Sequence, residues 1–214
     1  MVSTLDRRAR GTVAVNEDVP LHFRLFIALT IPDEIKAGIE KAQEEMRRAL
    51  PEGRIRWIRR EQFHLTLRFL GEVDAERVPV LLDAVRGACN GFAPLSLRSE
   101  RVGFFPDGRF PRVLWVGVND RENNLPLLQR AVQQASAGFT AEKPEQDFSG
   151  HITMGRIKRI TRPEAKILTR LASDLAERFF GEWTANKIEI MRSELSEQGA
   201  RHSLVATVPL AAFP

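Results

Sequence analysis

Two of the four histidines in this 214-residue chain stand in the same local frame, His64-Leu65-Thr66-Leu67 and His151-Ile152-Thr153-Met154. Each reads histidine, apolar, threonine, apolar. Successive side chains leave a strand on opposite faces, so the alternation predicts a half-buried strand. Imidazole and hydroxyl then share one face about 7 Å apart at Cα, and the apolar pair anchors the other face in a core. With ten threonines in 214 positions, a given histidine meets one two residues on about once in twenty, so two matches among four is on the order of a 1% coincidence. Strict alternation also places Arg68 on the His64 face. The frames are 87 residues apart, close to half of the 194 residues that follow the first 20. That spacing predicts two lobes whose His/Thr faces meet across a cleft.

The rest of the chain supplies elements for such a fold. Residues 1–20 carry Arg7, Arg8 and Arg10 without an apolar period and are expected to be a flexible tail, leaving 21–214 as a single bilobal domain. Strands are predicted at Leu21–Leu29, Arg54–Ile58, Phe63–Leu70, Leu95–Phe104, Arg112–Val118, His151–Arg156, Thr184–Met191 and His202–Leu210. Helices are predicted from Pro32 to Ala49, from Val78 to Cys89, over Asn123–Ala137, and from Pro163 with Ile167, Leu168, Leu171, Leu175 and Phe179 on its apolar face. Helices mixed with antiparallel strands indicate α+β rather than a regular βαβ winding. No run approaches the roughly 18 apolar residues of a membrane span, and no apolar signal core opens the chain, so a cytoplasmic protein without a membrane partner is expected.

The chemistry follows from residue supply. A single cysteine, Cys89, excludes an intramolecular disulfide or Cys-rich zinc site and reads as core. The four histidines, which include His22 and His202, form no His-x-His or His-Glu-x-x-His ligand set, so neither a metal nor another cofactor is expected. Two imidazoles facing one ligand suit phosphodiester hydrolysis: one takes a proton from water while the other donates to the leaving oxygen. Threonine hydroxyls can donate to the non-bridging phosphoryl oxygens as their charge grows. The basic set is 26 Arg to 6 Lys, a planar, permanently charged fork that leans toward phosphate. Arg59, Arg60, Arg68, Arg109, Arg112, Arg159 and Arg162 could track an RNA backbone or simply be solvated. His22 and His202 read as structural.

Paired His-x-Thr-x motifs are the signature of the 2H phosphoesterase superfamily, and this chain resembles its RNA 2′,3′-cyclic phosphodiesterase branch, also called 2′-5′ RNA ligase. Arg24-Leu25-Phe26-Ile27-Ala28, Arg56-Trp57-Ile58, Phe63–Val73, Phe105–Val118 and Phe148–Arg156 carry the likeness. The resemblance implies a bilobal α+β fold, two antiparallel sheets flanked by helices with pseudo-twofold symmetry and a central active-site cleft. It implies metal-independent opening of an RNA 2′,3′-cyclic phosphate end to a 2′-phosphomonoester, with no cofactor. His64 would be the proton donor to the 3′-oxygen, His151 the acceptor on water, and Thr66 and Thr153 the phosphate ligands, while Arg156 and Phe26 would contact the terminal base or phosphate. Strict alternation points Arg156 away from the His151 face, so a bulge or strand end near Gly155 is required to turn it inward. Ser149-Gly150 replaces a bulkier pair of the family and predicts a looser entry to that strand. The family also covers 2′-5′ ligation and hydrolysis of other cyclic phosphates or 2′,5′-linked oligonucleotides. A non-catalytic RNA-binding module and a metal hydrolase are the readings from other classes. The expected partner is RNA ending in 2′,3′-cyclic phosphate, bound by a monomer.

Overall fold

In the computed structural model, residues 21–106, 110–196 and 199–211 are described. The 1–20 tail and Arg109 lie outside them. Among the described residues, nine strands and four α-helices follow one another as β1 (His22–Thr30), α1 (Asp33–Arg48), β2 (Ile55–Trp57), β3 (His64–Asp74), α2 (Val78–Cys89), β4 (Leu95–Phe105), β5 (Val113–Asp120), α3 (Asn124–Ala135), β6 (His151–Ile157), α4 (Arg162–Asp174), β7 (Phe179–Ala185), β8 (Lys187–Ser196) and β9 (Gly199–Pro209). The α+β class is as the sequence predicts.

The helices bury the stripes their periodicity defines: Ile35, Ile39, Ala42 and Met46 on α1, Leu81, Val85 and Cys89 on α2, Leu125, Leu128 and Val132 on α3. Cys89 is core, and burial pushes its thiol up to about 11. Thr161 caps α4 and forms a reciprocal capping box with Glu164, which also receives the Arg54 guanidinium at 2.8 Å. That helix ends at Asp174, so Phe179 belongs to β7 and not to the helical face expected of it. The single late strand expected over 184–191 is two strands, broken at Asn186, because β7 pairs with β4 while β8 pairs with β1 and β9.

The strand order is β7-β4-β5-β6-β3-β1-β8-β9, with β2 added to β6, and the pairings are antiparallel. Instead of two separate sheets, two four-strand runs, β6-β5-β4-β7 and β3-β1-β8-β9, are joined through β6 and β3. The join is narrow: Leu65 opposite Ile152 is the pair recorded between these strands. Both side chains are fully buried, and each directly follows a motif histidine. An antiparallel register through this pair sets Thr153 alongside His64 and Thr66 alongside His151. The two motif strands therefore diverge from a common point with their His/Thr faces on the same side.

Each motif strand carries an extra residue at the same place. Along β3, Ile27 faces Arg68 but Ala28 faces Thr66, so Leu67 is inserted. Along β6, Leu114 faces Gly155 but Trp115 faces Thr153, so Met154 is inserted. These β-bulges, three residues after each histidine, reverse the alternation beyond them. Burial follows: Arg68 is 6% exposed on the core side, where its guanidinium donates to the carbonyls of Glu142 and Lys143, and Phe69 emerges on the His64 side at 53%. The expectations that Arg68 shares the histidine face and that it tracks RNA or is solvated are thus corrected. In β6 the same step turns Gly155 inward, where a Cβ would lie 2.6 Å from Ile55, and Arg156 outward.

The carbonyls at both bulges are answered from helices. Gln43 of α1, 3% exposed, donates through Nε2 to the Met154 carbonyl at 2.7 Å and the Ile58 carbonyl at 2.8 Å. Gln129 of α3, also 3% exposed, donates to the Leu67 carbonyl at 3.3 Å. A buried amide in a helical apolar stripe is costly unless it is bonded, and here each amide donates to a bulge carbonyl, that of Met154 also accepting from Ile58 N at 2.9 Å.

Candidate active site

The divergence of β3 and β6 opens a cleft of about 540 Å³, lined among others by Phe26, His64, Thr66, Phe69, Thr153, Arg156 and His202. Five of the six residues expected at the site from the sequence therefore line one cavity. The sixth, His151, lies at its margin, its ring edge-on to Phe105 at 4.9 Å, and close enough to act on the charge of His64. Phe26 is 2% exposed and forms part of the wall, with its ring 4.8 Å from His64 and 6.0 Å from Phe69. Phe69 and Arg156, each five residues after a histidine, are matched positions that present a ring and a guanidinium to the same space.

The imidazoles are held alike. His64 Nδ1 lies 2.7 Å from the Gln62 carbonyl and His151 Nδ1 lies 2.8 Å from the Ser149 carbonyl. A carbonyl only accepts, so Nδ1 carries the proton and Nε2 is the nitrogen left for chemistry in each neutral ring. On the His64 side, the turn Arg60–Gln62 carries the accepting carbonyl, and the Gln62 amide is tied to the Ala200 carbonyl of β9. On the His151 side, the Gly150 carbonyl accepts from Val118 N at 2.8 Å, and a Cβ on Gly150 would meet the Val118 oxygen at 2.5 Å. The expected loose entry to β6 is instead a tight one that admits only glycine.

Charge in the cleft is lopsided. Arg24, Arg56 and Arg156 line it against one carboxylate, Glu142, and none of the three arginines forms an ion pair among the described residues. Arg59 and Arg60, by contrast, are paired with Glu61 and with Asp33 and Glu40. Burial pushes the His64 imidazole down to about 4; the Gln62 hydrogen bond opposes this, while His202, His151 and Arg156 add to it. The free protein thus holds His64 neutral at pH 7, with a lone pair on Nε2.

His202, read as structural from the sequence, lies in the cleft wall, 5.5 Å from His64 and 4.9 Å from Phe26 between ring centroids. Burial lowers its pKa, and the charge of Arg59 lowers it further. No motif surrounds it; β9 brings it there by pairing Ser193 with His202 across the β8–β9 hairpin. Arg24 and Arg56 were likewise invisible as site residues. His22 is a bystander, paired with Asp74 at 2.8 Å on the surface.

A helix-flanked antiparallel sheet whose two His-x-Thr strands diverge around an arginine-rich cleft defines a phosphoesterase of the two-histidine class. The family described as LigT like Phosphoesterase matches this chain twice, over residues 29–115 and 116–202, and the chain belongs to that family. Each matched half contains one motif, and the histidine stands 35 residues after the first matched position in both (64 − 29 and 151 − 116). The sequence halves are not the structural runs: β4, from the first, joins β5 and β6, while β8 and most of β9, from the second, join β1 and β3.

Relatives span nearly the same length. The RNA 2′,3′-cyclic phosphodiesterase of Methanocaldococcus jannaschii is 30% identical over 184 residues, covering 85% of this chain and 98% of its own. That of Archaeoglobus fulgidus is 31% identical over 178 residues, covering 82% and 94%. Among solved structures, TT0787 of Thermus thermophilus superposes with a TM-score of 0.70 at 26% identity over 87% of this chain and 97% of that one. E. coli LigT complexed with 3′-AMP shares the fold with a TM-score of 0.68 at 21% identity over 88% and 98%.

Proposed function

We propose that this protein is an RNA 2′,3′-cyclic phosphodiesterase that opens the terminal cyclic phosphate to a 2′-monoester by two-histidine acid–base catalysis without a metal. The observation that carries the proposal is the matched pair of Nδ1-anchored imidazoles on strands that diverge from the Leu65–Ile152 pair. Relatives named for this activity, similar over more than four fifths of the chain, support it.

In the proposed reaction the cyclic phosphate lies between Thr66 and Thr153, whose hydroxyls donate to its non-bridging oxygens. His151 Nε2 takes a proton from water as the water oxygen bonds to phosphorus. The bond from phosphorus to the 3′-oxygen breaks, and His64 Nε2–H gives that oxygen its proton. Phe69 and Arg156 flank the terminal base, the ring by stacking and the guanidinium by stacking or charge. The site's charge is supplied by cationic side chains, the opposite of a carboxylate-rich metal cradle.

One observation favours a second reading. A group held down to about 4 is an acceptor at pH 7, which suits His64 as the base and His151 as the acid. With the cyclic phosphate turned so that its 2′-oxygen faces His151, opposite a water held by His64, this reading releases the 2′-oxygen. In the first reading, the bound phosphate anion offsets the neighbouring positive charge and loads His64 with its proton. Incubation of a short RNA ending in 2′,3′-cyclic phosphate, with identification of the product, decides: a 2′-monoester supports the first assignment, a 3′-monoester the second, and an unopened ring overturns both.

A further inference from the structure

Arg56 of β2 and Arg156 of β6 are direct cross-strand partners. Their neighbours in the register, Ile55 and Ile157, are buried on the other face, so both guanidiniums are sent to the cleft side. Like charges placed directly opposite on a sheet repel. Neither has a carboxylate partner among the described residues, and the one acid among the described residues that line the cleft, Glu142, is placed against Gly71, part of β3. The fold also makes room for Arg56: Gly199 backs onto its guanidinium, and a Cβ there would come within 2.7 Å of the Arg56 Nη2 atom.

We infer that the Arg56–Arg156 pair is a second anion subsite, built for the 5′-phosphate of the nucleotide whose cyclic phosphate occupies the threonines. This rests on the cyclic phosphodiesterase reading for the position of the first phosphate. Thr153 and Arg156 are three residues apart, at most about 10 Å along the strand. A guanidinium on its long stem closes part of that distance, which leaves an anion one nucleotide away within reach. Two forks on one anion convert a repulsive pair into charge-assisted hydrogen bonds. Arg156 can serve both groups, since a guanidinium stacks through its face and donates through its edge. The subsite would favour ends carrying a 5′-phosphate or internucleotide phosphodiester over a bare nucleoside cyclic phosphate.

The test is equilibrium binding of adenosine 2′-monophosphate and adenosine 2′,5′-bisphosphate, which needs no turnover. The native protein should prefer the bisphosphate by about tenfold or more, the scale of one charged hydrogen bond, with the preference shrinking as salt rises. Arg56→Gln should abolish the preference, and Arg56→Lys, which keeps the charge but not the fork, should restore part of it. No preference in the native protein, or an undiminished one in Arg56→Gln, overturns the inference. A bisphosphate preference in a protein that leaves cyclic phosphate ends unopened would sink the functional reading and leave the subsite standing.

Discussion

The Gln43 amide donates to the Met154 carbonyl at 2.7 Å from a position that is 3% exposed. Gln129 repeats the relationship with the Leu67 carbonyl. Through these two contacts a helix from each half of the sequence fixes the bulge on the motif strand of the other half, and each bulge turns the residue five places after a histidine into the cleft. Gln43→Leu should cost about 1–3 kcal/mol of stability, the scale of the two hydrogen bonds its amide makes. It should also raise KM more than it lowers kcat, because Arg156 loses its placement while the histidines keep theirs. Lowered stability with KM untouched would reduce Gln43 to a packing role.

The threonines admit a conservative test. Thr66→Val and Thr153→Val keep the β-branch that suits a strand and remove the donor. Each should lower kcat by about 10²-fold, the loss typical of one donor to a developing oxyanion, with little change in unfolding midpoint. A kcat within about twofold of native for both, well short of that scale, would place the phosphate elsewhere.

Substrate charge should be visible on His64. Its ring is expected to titrate near 4 in the free protein, and a bound phosphate monoester should move that value upward, since a nearby anion favours the imidazolium. NMR titration of the histidine rings with and without adenosine 2′-monophosphate checks this. An unmoved His64 would separate it from the phosphate.

The same group couples folding to pH. With His64 near 4 in the folded chain and 6.5 as its ordinary value, the unfolded state binds more protons between these limits. Stability from this group is complete above about pH 6.5 and is lost as pH falls toward about 4, by about 3 kcal/mol at most. His64→Gln should therefore gain on the native protein as urea unfolding is moved from pH 7.5 to pH 4.5. A difference between the two that stays constant with pH would show that His64 is not held neutral.

The alternation around His64 and His151 was legible because it is local: apolar residues at odd steps fix which face is buried. It failed at Arg68, and it made Arg156 depend on a bulge, because an inserted residue appears only as a shift against a partner strand. A signal did exist, in the polar Gln43 and Gln129 that interrupt helical stripes with no visible partner. His202 was missed for the same reason, since its place in the cleft is set by the β8–β9 register and not by its neighbours in sequence. The run Leu171, Leu175, Phe179 kept helical spacing past the true end of α4, where pairing of Phe179 with Glu100 prevails. Tertiary pairing, not propensity, decides each of these cases.

That two imidazoles carry the chemistry without a metal is checked by turnover of a short RNA ending in 2′,3′-cyclic phosphate, in excess chelator, by the native protein and by His64→Ala and His151→Ala. Full native activity is expected, with a loss of roughly 10²–10⁴ in kcat for each variant and the fold intact by circular dichroism. Activity abolished by chelation, or retained by both variants, would contradict it.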